Sequence, residues 1–179
     1  MRGDRALRQQ SSTRGRMSQR SSAMRRRHAE AWQIVNFQRD KYSNARLLRF
    51  TINLGVSLDV LHDDPSWRSR GWPLQAECDF RRRIGHLHKG EDHWWRVRPL
   101  LPTRGTARDV LAALDKALPW LDEWSDPRAL LMNALRDPSR KTFGLWALVE
   151  LAKKIGDPAQ VEIAEAELRR WQAGDRKVW

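Results

Sequence analysis

Residues Leu48–Leu58 alternate between apolar and polar side chains over eleven consecutive positions. The even positions are all large and apolar, and the odd positions are Arg49, Thr51, Asn53, Gly55 and Ser57. Successive side chains of a strand point to opposite faces of a sheet, so this pattern is typical of a strand with one buried face. Such a strand needs neighbouring strands and a second layer to cover its apolar side.

Further strand patterns lie on both sides of this segment. Residues 32–38 are apolar on both faces, which predicts a strand in the middle of the sheet, and the polar residues 39–46 predict an antiparallel hairpin. Residues 62–73 contain two prolines and a glycine and indicate a loop. Residues 78–87 and 94–98 predict two more strands.

The apolar period becomes helical in the second half of the chain. Thr106 is a candidate cap for a first helix that Pro119 would kink or end. Asp-Pro pairs at 126–127 and 157–158 predict two further helix starts, and residues 142–155 predict another helix. The sequence therefore predicts an α+β fold, with a small, mostly antiparallel sheet at about 32–100 followed by helices at about 106–173.

The positive charge of the chain is concentrated near its start. Residues 1–31 hold nine arginines and two acids, so they carry +7 of the net charge of +12. Residues 1–28 are rich in Arg and Ser with little to bury, which predicts a disordered tail ahead of a single α+β domain over residues 29–179. Alternative interpretations are translation starting at Met17 or Met24, a nucleic-acid-binding arm, or a transit peptide.

The cysteine count and the lack of long apolar stretches limit the classes of protein to which the chain can belong. Cys78 is the single cysteine, which excludes an internal disulfide and a paired-cysteine metal site and suits a reducing cytoplasm. No stretch approaches the roughly 20 apolar residues of a membrane span. We therefore expect a cytoplasmic protein that does not enter a membrane, and no motif indicates a cofactor.

Cys78, His86 and His88 would share one face of a strand over residues 78–87, with His93 nearby. Paired histidines on a strand can bind zinc, and a cysteine beside a histidine can act as a nucleophile. In the alternative interpretation Cys78 is a small buried side chain and the histidines lie in a turn. No carboxylate or second cysteine stands at ligand spacing, so no catalytic or metal-binding set is predicted.

The better candidate for a site is the polar side of the predicted sheet. Arginine offers a planar fork for carboxylates, and amides beside it would suit an anion or an acidic protein surface. One ring of the adjacent pair Trp94 and Trp95 would point inward and the other outward, as an anchor for a partner. The alternative is a solvated outer face. The candidate partner-binding residues are Asn36, Gln38, Asn53, Arg81, Arg83, Trp94 and Trp95.

Tryptophans in the helical half are predicted to be buried. Trp120, Trp124, Trp146 and Trp171 lie on or beside apolar helical stripes, so we interpret them as core residues and not as platforms for nucleic-acid bases. The exception is Trp95, a candidate platform for nucleic-acid bases because Arg96 and Arg98 lie beside it.

Four pieces in order carry a family resemblance: WQIVNFQRDKYSN, FTINLGVSL, FRRRIGHL and DHWW. Over about residues 25–125 the chain resembles the bacterial family designated domain of unknown function 4304. The resemblance implies a small cytoplasmic bacterial α+β protein without an established activity, which disfavours the transit-peptide interpretation. It also implies a helix and a strand before the first piece, where this chain has its arginine-rich segment.

These observations support three hypotheses about function. The favoured one is a non-catalytic protein-interaction module, such as an immunity-like or regulatory partner. The second is association with nucleic acid through the tail and through Arg81 and Arg83. The third is an enzyme that uses the region of Cys78, His86 and His88.

Overall fold

The computed structural model describes residues 22–136 and 145–173. Within these ranges five strands precede four of the five α-helices, which confirms the predicted α+β class. The strands are β1 (Ser22–His28), β2 (Ala31–Arg39), β3 (Leu48–Leu58), β4 (Phe80–Arg83) and β5 (Trp95–Val97). The helices are α1 (Ile84–His88), α2 (Arg104–Glu123), α3 (Pro127–Arg136), α4 (Leu145–Ile155) and α5 (Pro158–Gln172).

The sheet is antiparallel, in the order β1-β2-β3-β4, and β5 also pairs with β3. The predicted hairpin is confirmed, because β2 and β3 pair over their whole lengths from Ala31 opposite Leu58 to Arg39 opposite Phe50. β2 lies between β1 and β3, as its two apolar faces predict. Both β4 and β5 lie on the side of β3 away from β2.

One face of the sheet forms the core together with α2, α3 and α4. Ile52, Leu54 and Phe80 are fully buried on this face, and the Phe80 ring meets Trp124 edge-on. Gln33 fixes the end of α2, since its Nε2 donates hydrogen bonds to the Leu121 carbonyl at 3.0 Å and to Ser125 Oγ at 2.8 Å. The polar group of Gln33 is thus buried with its partners.

The other face of β3 is also buried, which contradicts the predicted strand with one buried face. The loop that follows β3 folds back over this side, where Gln75 Nε2 donates to the Leu54 carbonyl at 3.1 Å. Cys78 lies over Gly55 so closely that a Cβ at residue 55 would be 2.6 Å from the Cys78 sulfur. Glycine at this position therefore permits the loop to approach the strand.

Residues 22–28 form strand β1, so the predicted disorder up to residue 28 is wrong for this part of the segment. β1 pairs with β2 in register from Ser22 opposite Phe37 to His28 opposite Ala31. Arg26 forms an ion pair with Asp122, and Arg27 forms one with Asp59. Long-range pairing thus orders a strand that has little apolar surface of its own. Residues 1–21 of the predicted tail lie outside the described residues.

The predicted strand over residues 78–87 is also wrong in its extent. Only Phe80–Arg83 is a strand, and the chain then turns into helix α1. A Cβ on Gly85 would lie 2.5 Å from the His93 backbone nitrogen, so the absence of a side chain allows the following turn to pack against α1.

The helix boundaries follow the Asp-Pro signals. Asp126 Oδ1 accepts hydrogen bonds from the backbone nitrogens of Arg128 and Ala129 at 2.8 Å, and Asp157 caps α5. α2 begins at Arg104, so Thr106 is not its cap, and Pro119 lies inside it without ending it. Residues 142–144 of the helix predicted over residues 142–155 lie outside the described residues.

Two of the four helical tryptophans are not core residues. Trp120 and Trp124 are buried and stack on each other, as predicted. Trp146 and Trp171 are exposed, because each lies on the outer side of its helix. None of the helices in the described ranges is long and apolar enough to span a membrane.

Candidate partner-binding surface

Three predicted site residues form one row across the sheet. Asn36 of β2 lies opposite Asn53 of β3, and Asn53 lies opposite Arg83 of β4. Directly opposed residues share a face, and this face is the one away from the helices. Asn53 Nδ2 also donates a hydrogen bond of 2.8 Å to Gln38 Oε1. We call this surface the polar face; its members are Asn36, Gln38, Asn53, Arg81, Arg83 and Trp94.

Trp94 is the aromatic residue of the polar face. The guanidinium carbons of Arg49 and Arg83 lie 5.9 Å and 5.4 Å from the centroid of its ring. Trp94 Nε1 donates to Asp92 Oδ2 at 3.2 Å, and Arg83 forms an ion pair with the same oxygen. Arginines over an indole ring make favourable cation–π contacts, so these side chains hold one another in place. We call Arg49, Arg83, Asp92 and Trp94 the Trp94 group.

Asp92 is the carboxylate of this group. Partial burial raises its pKa, but the hydrogen bonds from Arg83 and Trp94 outweigh that effect, and the pKa of Asp92 lies below its ordinary value. Arg83 therefore has an internal acidic partner.

Access to the polar face differs among the predicted residues. Asn53 is only 7% exposed, so the prediction that it projects into solvent is wrong. It lies in the central strand, where neighbours on both sides exclude water. Asn36 is half-buried, and its Oδ1 has no hydrogen-bond partner among the described residues. Gln38 and Arg81 are exposed, and Arg81 Nη1 donates a hydrogen bond of 3.3 Å to the Ala76 carbonyl.

Trp95 does not belong to the polar face. Its side chain is 3% exposed and stacks on Phe50 with ring centroids 5.6 Å apart. The prediction of one inward and one outward ring is therefore confirmed, with Trp94 as the outer ring. The suggested base-stacking platform of Trp95 beside Arg96 and Arg98 is wrong, because the indole of Trp95 is in the core.

The structure separates Cys78 from the histidines predicted to share its face. Cys78 lies over Gly55 on the polar side of the sheet. His88 lies on α1, where its Nε2 is 2.8 Å from Asp109 Oδ1 on the helix side. Burial raises the pKa of Cys78 to about 12, so the thiol stays protonated and unreactive at neutral pH. The described residues contain no group of three side chains suited to a metal ion.

His62 has the partners of a catalytic histidine but not their arrangement. Its Nε2 lies 3.2 Å from Ser57 Oγ and 3.0 Å from Asp79 Oδ2. A catalytic base needs its nucleophile and its orienting acid on opposite ring nitrogens, whereas here one nitrogen faces both. The hydrogen bond to Asp79 raises the pKa of His62. These contacts attach the loop after β3 to the sheet.

Asp109 joins α2 to the turn before β5. It accepts hydrogen bonds from His88 and from Trp95 Nε1, both at 2.8 Å, and pairs with Lys89 at 3.2 Å. These contacts, chiefly the one with His88, hold the pKa of Asp109 well below its usual range. The carboxylate of Asp109 is thus satisfied by partners on three sides and positions α2, whereas the buried Nδ1 of His88 has no hydrogen-bond partner among the described residues.

The sequence predictions omitted two members of the Trp94 group. Arg49 occupies an odd position of β3, so the alternation that predicted Thr51 and Asn53 for the polar face would also have predicted Arg49. Asp92 lies in a turn where no periodicity applies. Its contact with Arg83 depends on the path of the chain through α1.

A family model described as Domain of unknown function (DUF4304) matches residues 18–123, which is more than half of the chain. The chain belongs to this family. The match begins before β1 and includes every strand of the polar face. The predicted DUF4304 resemblance is therefore confirmed, with a match over residues 18–123 in place of the expected 25–125. Neither the search of curated proteins nor the search of solved structures found a match.

Proposed function

We propose that this DUF4304 protein is a non-catalytic protein-interaction module, immunity-like or regulatory, that acts in the cytoplasm. Its polar face binds an acidic surface of a partner protein. The observation that carries the proposal is the carboxylate of Asp92 held between Arg83 and Trp94. This geometry recognises a carboxylate within the chain, and the same groups face solvent at their outer edge.

The charges around the Trp94 group extend this surface. Arg81 lies two residues before Arg83 on the same face, and its guanidinium is exposed. Across the sheet, Arg25 of β1 is exposed in the same cross-strand row, and its guanidinium lies 5.7 Å from the Trp72 ring. Separated cations beside aromatic rings at the surface suit a partner with spaced carboxylates, because complementary charge guides both encounter and orientation.

The geometry of the nucleophilic and basic side chains supports a role without catalysis. Cys78 is buried and protonated, and His62 and His88 each bond to a carboxylate that fixes a loop or a helix. The contacts of these three side chains hold parts of the fold together.

The double substitution Arg81→Gln with Arg83→Gln tests the proposal. We expect it to reduce capture of a protein partner at least tenfold, because arginines are frequent hot spots of interfaces. We expect a shift of the thermal midpoint of only a few degrees, since a surface ion pair such as Arg83–Asp92 contributes about 1 kcal/mol or less. The measurement is quantitative mass spectrometry of nuclease-treated pull-downs with the full chain.

Arg169→Gln with Arg170→Gln provides the matched control, since it removes the same charge from the exposed end of α5. This variant is expected to retain the partner. The proposal would be contradicted if both double variants captured the same proteins, or if the unaltered chain captured none.

The second candidate function is association with nucleic acid. Exposed Arg25, Arg81 and Arg96 on the same side as Trp72 favour it, since phosphates and bases bind cations and aromatic rings. Removal of residues 1–21 would test whether the sheet alone is sufficient. Steeply salt-dependent binding to single-stranded DNA or RNA that survives this truncation and is lost in the Arg81 and Arg83 double variant would support this function over the first.

A further inference from the structure

Helix α2 has a second apolar face that nothing in the described residues covers. Its inner side contributes buried Ala113 and Ala117 to the core. On its outer side, Leu111 is 60% exposed and Leu118 is 42% exposed. Seven residues separate these two leucines, so both lie on one line along the helix, and Ala107 lies on the same line one turn before Leu111.

The charges beside this line are separated along the helix. Arg104 and Arg108 lie in the first two turns, and Asp115 lies in the second half. Cations at a helix N-terminus oppose the helix dipole, so the two arginines do not stabilise α2 itself. Neither Arg108 nor Asp115 has an ion-pair partner within the ranges that the structure describes. The fold therefore leaves both charges available beside an exposed apolar line.

We infer that a second copy of this chain packs on this line, with the two α2 helices antiparallel about a two-fold axis near Leu111. A two-fold axis places the same surface on both copies, so each contact occurs twice. The antiparallel direction brings Arg108 of one copy beside Asp115 of the other, whereas a parallel pair would place like charges together.

Small residues fit the remaining contact. In this register Leu118 of one copy meets the turn that contains Gly105 and Ala107 of the other. A Cβ on Gly105 would contact nothing within 4 Å, so the fold of one copy does not require glycine there. A surface of small residues at a helix crossing lets a leucine of the facing helix pack closely.

This interface is independent of the polar face. α2 packs on the opposite face of the sheet through Gln33 and the core residues, so either proposal can fail without the other. A single helix pair buries little area, and we expect a dissociation constant on the order of tens of micromolar.

Sedimentation equilibrium of the full chain over a concentration series tests the inference. The unaltered chain should show a reversible monomer–dimer equilibrium at about 0.15 M salt. Leu111→Glu should weaken the dimer at least tenfold, because it places charge within the apolar line. Ile163→Glu is the matched control, since Ile163 is similarly exposed on α5, and it should leave the equilibrium unchanged.

A charge exchange tests the register without altering the apolar line. Arg108→Asp alone and Asp115→Arg alone should each raise the dissociation constant about tenfold, because each makes two like-charge contacts per dimer. The double exchange Arg108→Asp with Asp115→Arg should restore it. The inference would be overturned by a chain that stays monomeric throughout the series, or by a double exchange that dimerises as weakly as the single variants. A monomeric chain would mean that this face of α2 is solvated or binds a different protein.

Discussion

Ile52→Asp is expected to prevent folding of the protein. Ile52 is fully buried between the sheet and the helices, within a cluster of apolar side chains. An unpaired charge in such a site costs about 4 kcal/mol or more, a large part of the 5–15 kcal/mol that stabilises an ordinary domain. Circular dichroism and soluble yield measure the effect.

Met24→Asp is the matched control for this substitution, because Met24 is an apolar strand residue that is about half exposed. It should fold and melt close to the unaltered protein. Asn53→Asp should lie between the two, since Asn53 is buried and its Nδ2 donates to Gln38. Similar melting of the Ile52 and Met24 variants would show that β3 does not face the core as described.

Removal of residues 1–28 is expected to destabilise the fold strongly relative to removal of residues 1–21. The longer truncation deletes β1 and exposes the edge of β2, and it breaks the pairs Arg26–Asp122 and Arg27–Asp59. We expect a loss of about 3 kcal/mol, which lowers the thermal midpoint by roughly 10 °C. The difference in midpoint between the two truncations isolates the contribution of the strand. Equal midpoints would contradict the assignment of residues 22–28 to the sheet.

Local patterns allowed much of the fold to be predicted from the sequence. The alternation in Leu48–Leu58 and the two apolar faces of residues 32–38 predicted the central hairpin. Asp-Pro pairs predicted two helix starts, because a carboxylate cap and a proline in the first turn act over three or four residues.

The incorrect predictions concern contacts between distant parts of the chain. β1 contains three arginines and no apolar alternation, and acids at positions 59 and 122 pair with two of them. Asn53 is buried within the sheet, so its polarity did not indicate exposure. A strand was predicted through Gly85 because the pattern could not reveal the close contact with the backbone of Glu91 and His93.

Only part of the candidate site was predicted, because the rest of it also depends on contacts between distant parts of the chain. Strand periodicity placed Asn36, Asn53 and Arg83 on one face, and the cross-strand register brings them into one row. Periodicity could not show that Asp92 returns from the turn after α1 to contact Arg83 and Trp94.

Oxidative footprinting of the tryptophans, in the free protein and in the complex with the captured partner, tests the proposed role of the polar face most directly. Trp94 is half-buried on that face, whereas Trp146 and Trp171 are exposed on α4 and α5 and serve as internal controls. The proposal predicts that the partner slows oxidation of Trp94 several-fold and leaves Trp146 and Trp171 unchanged. A stable complex in which Trp94 oxidises at its free rate would contradict it.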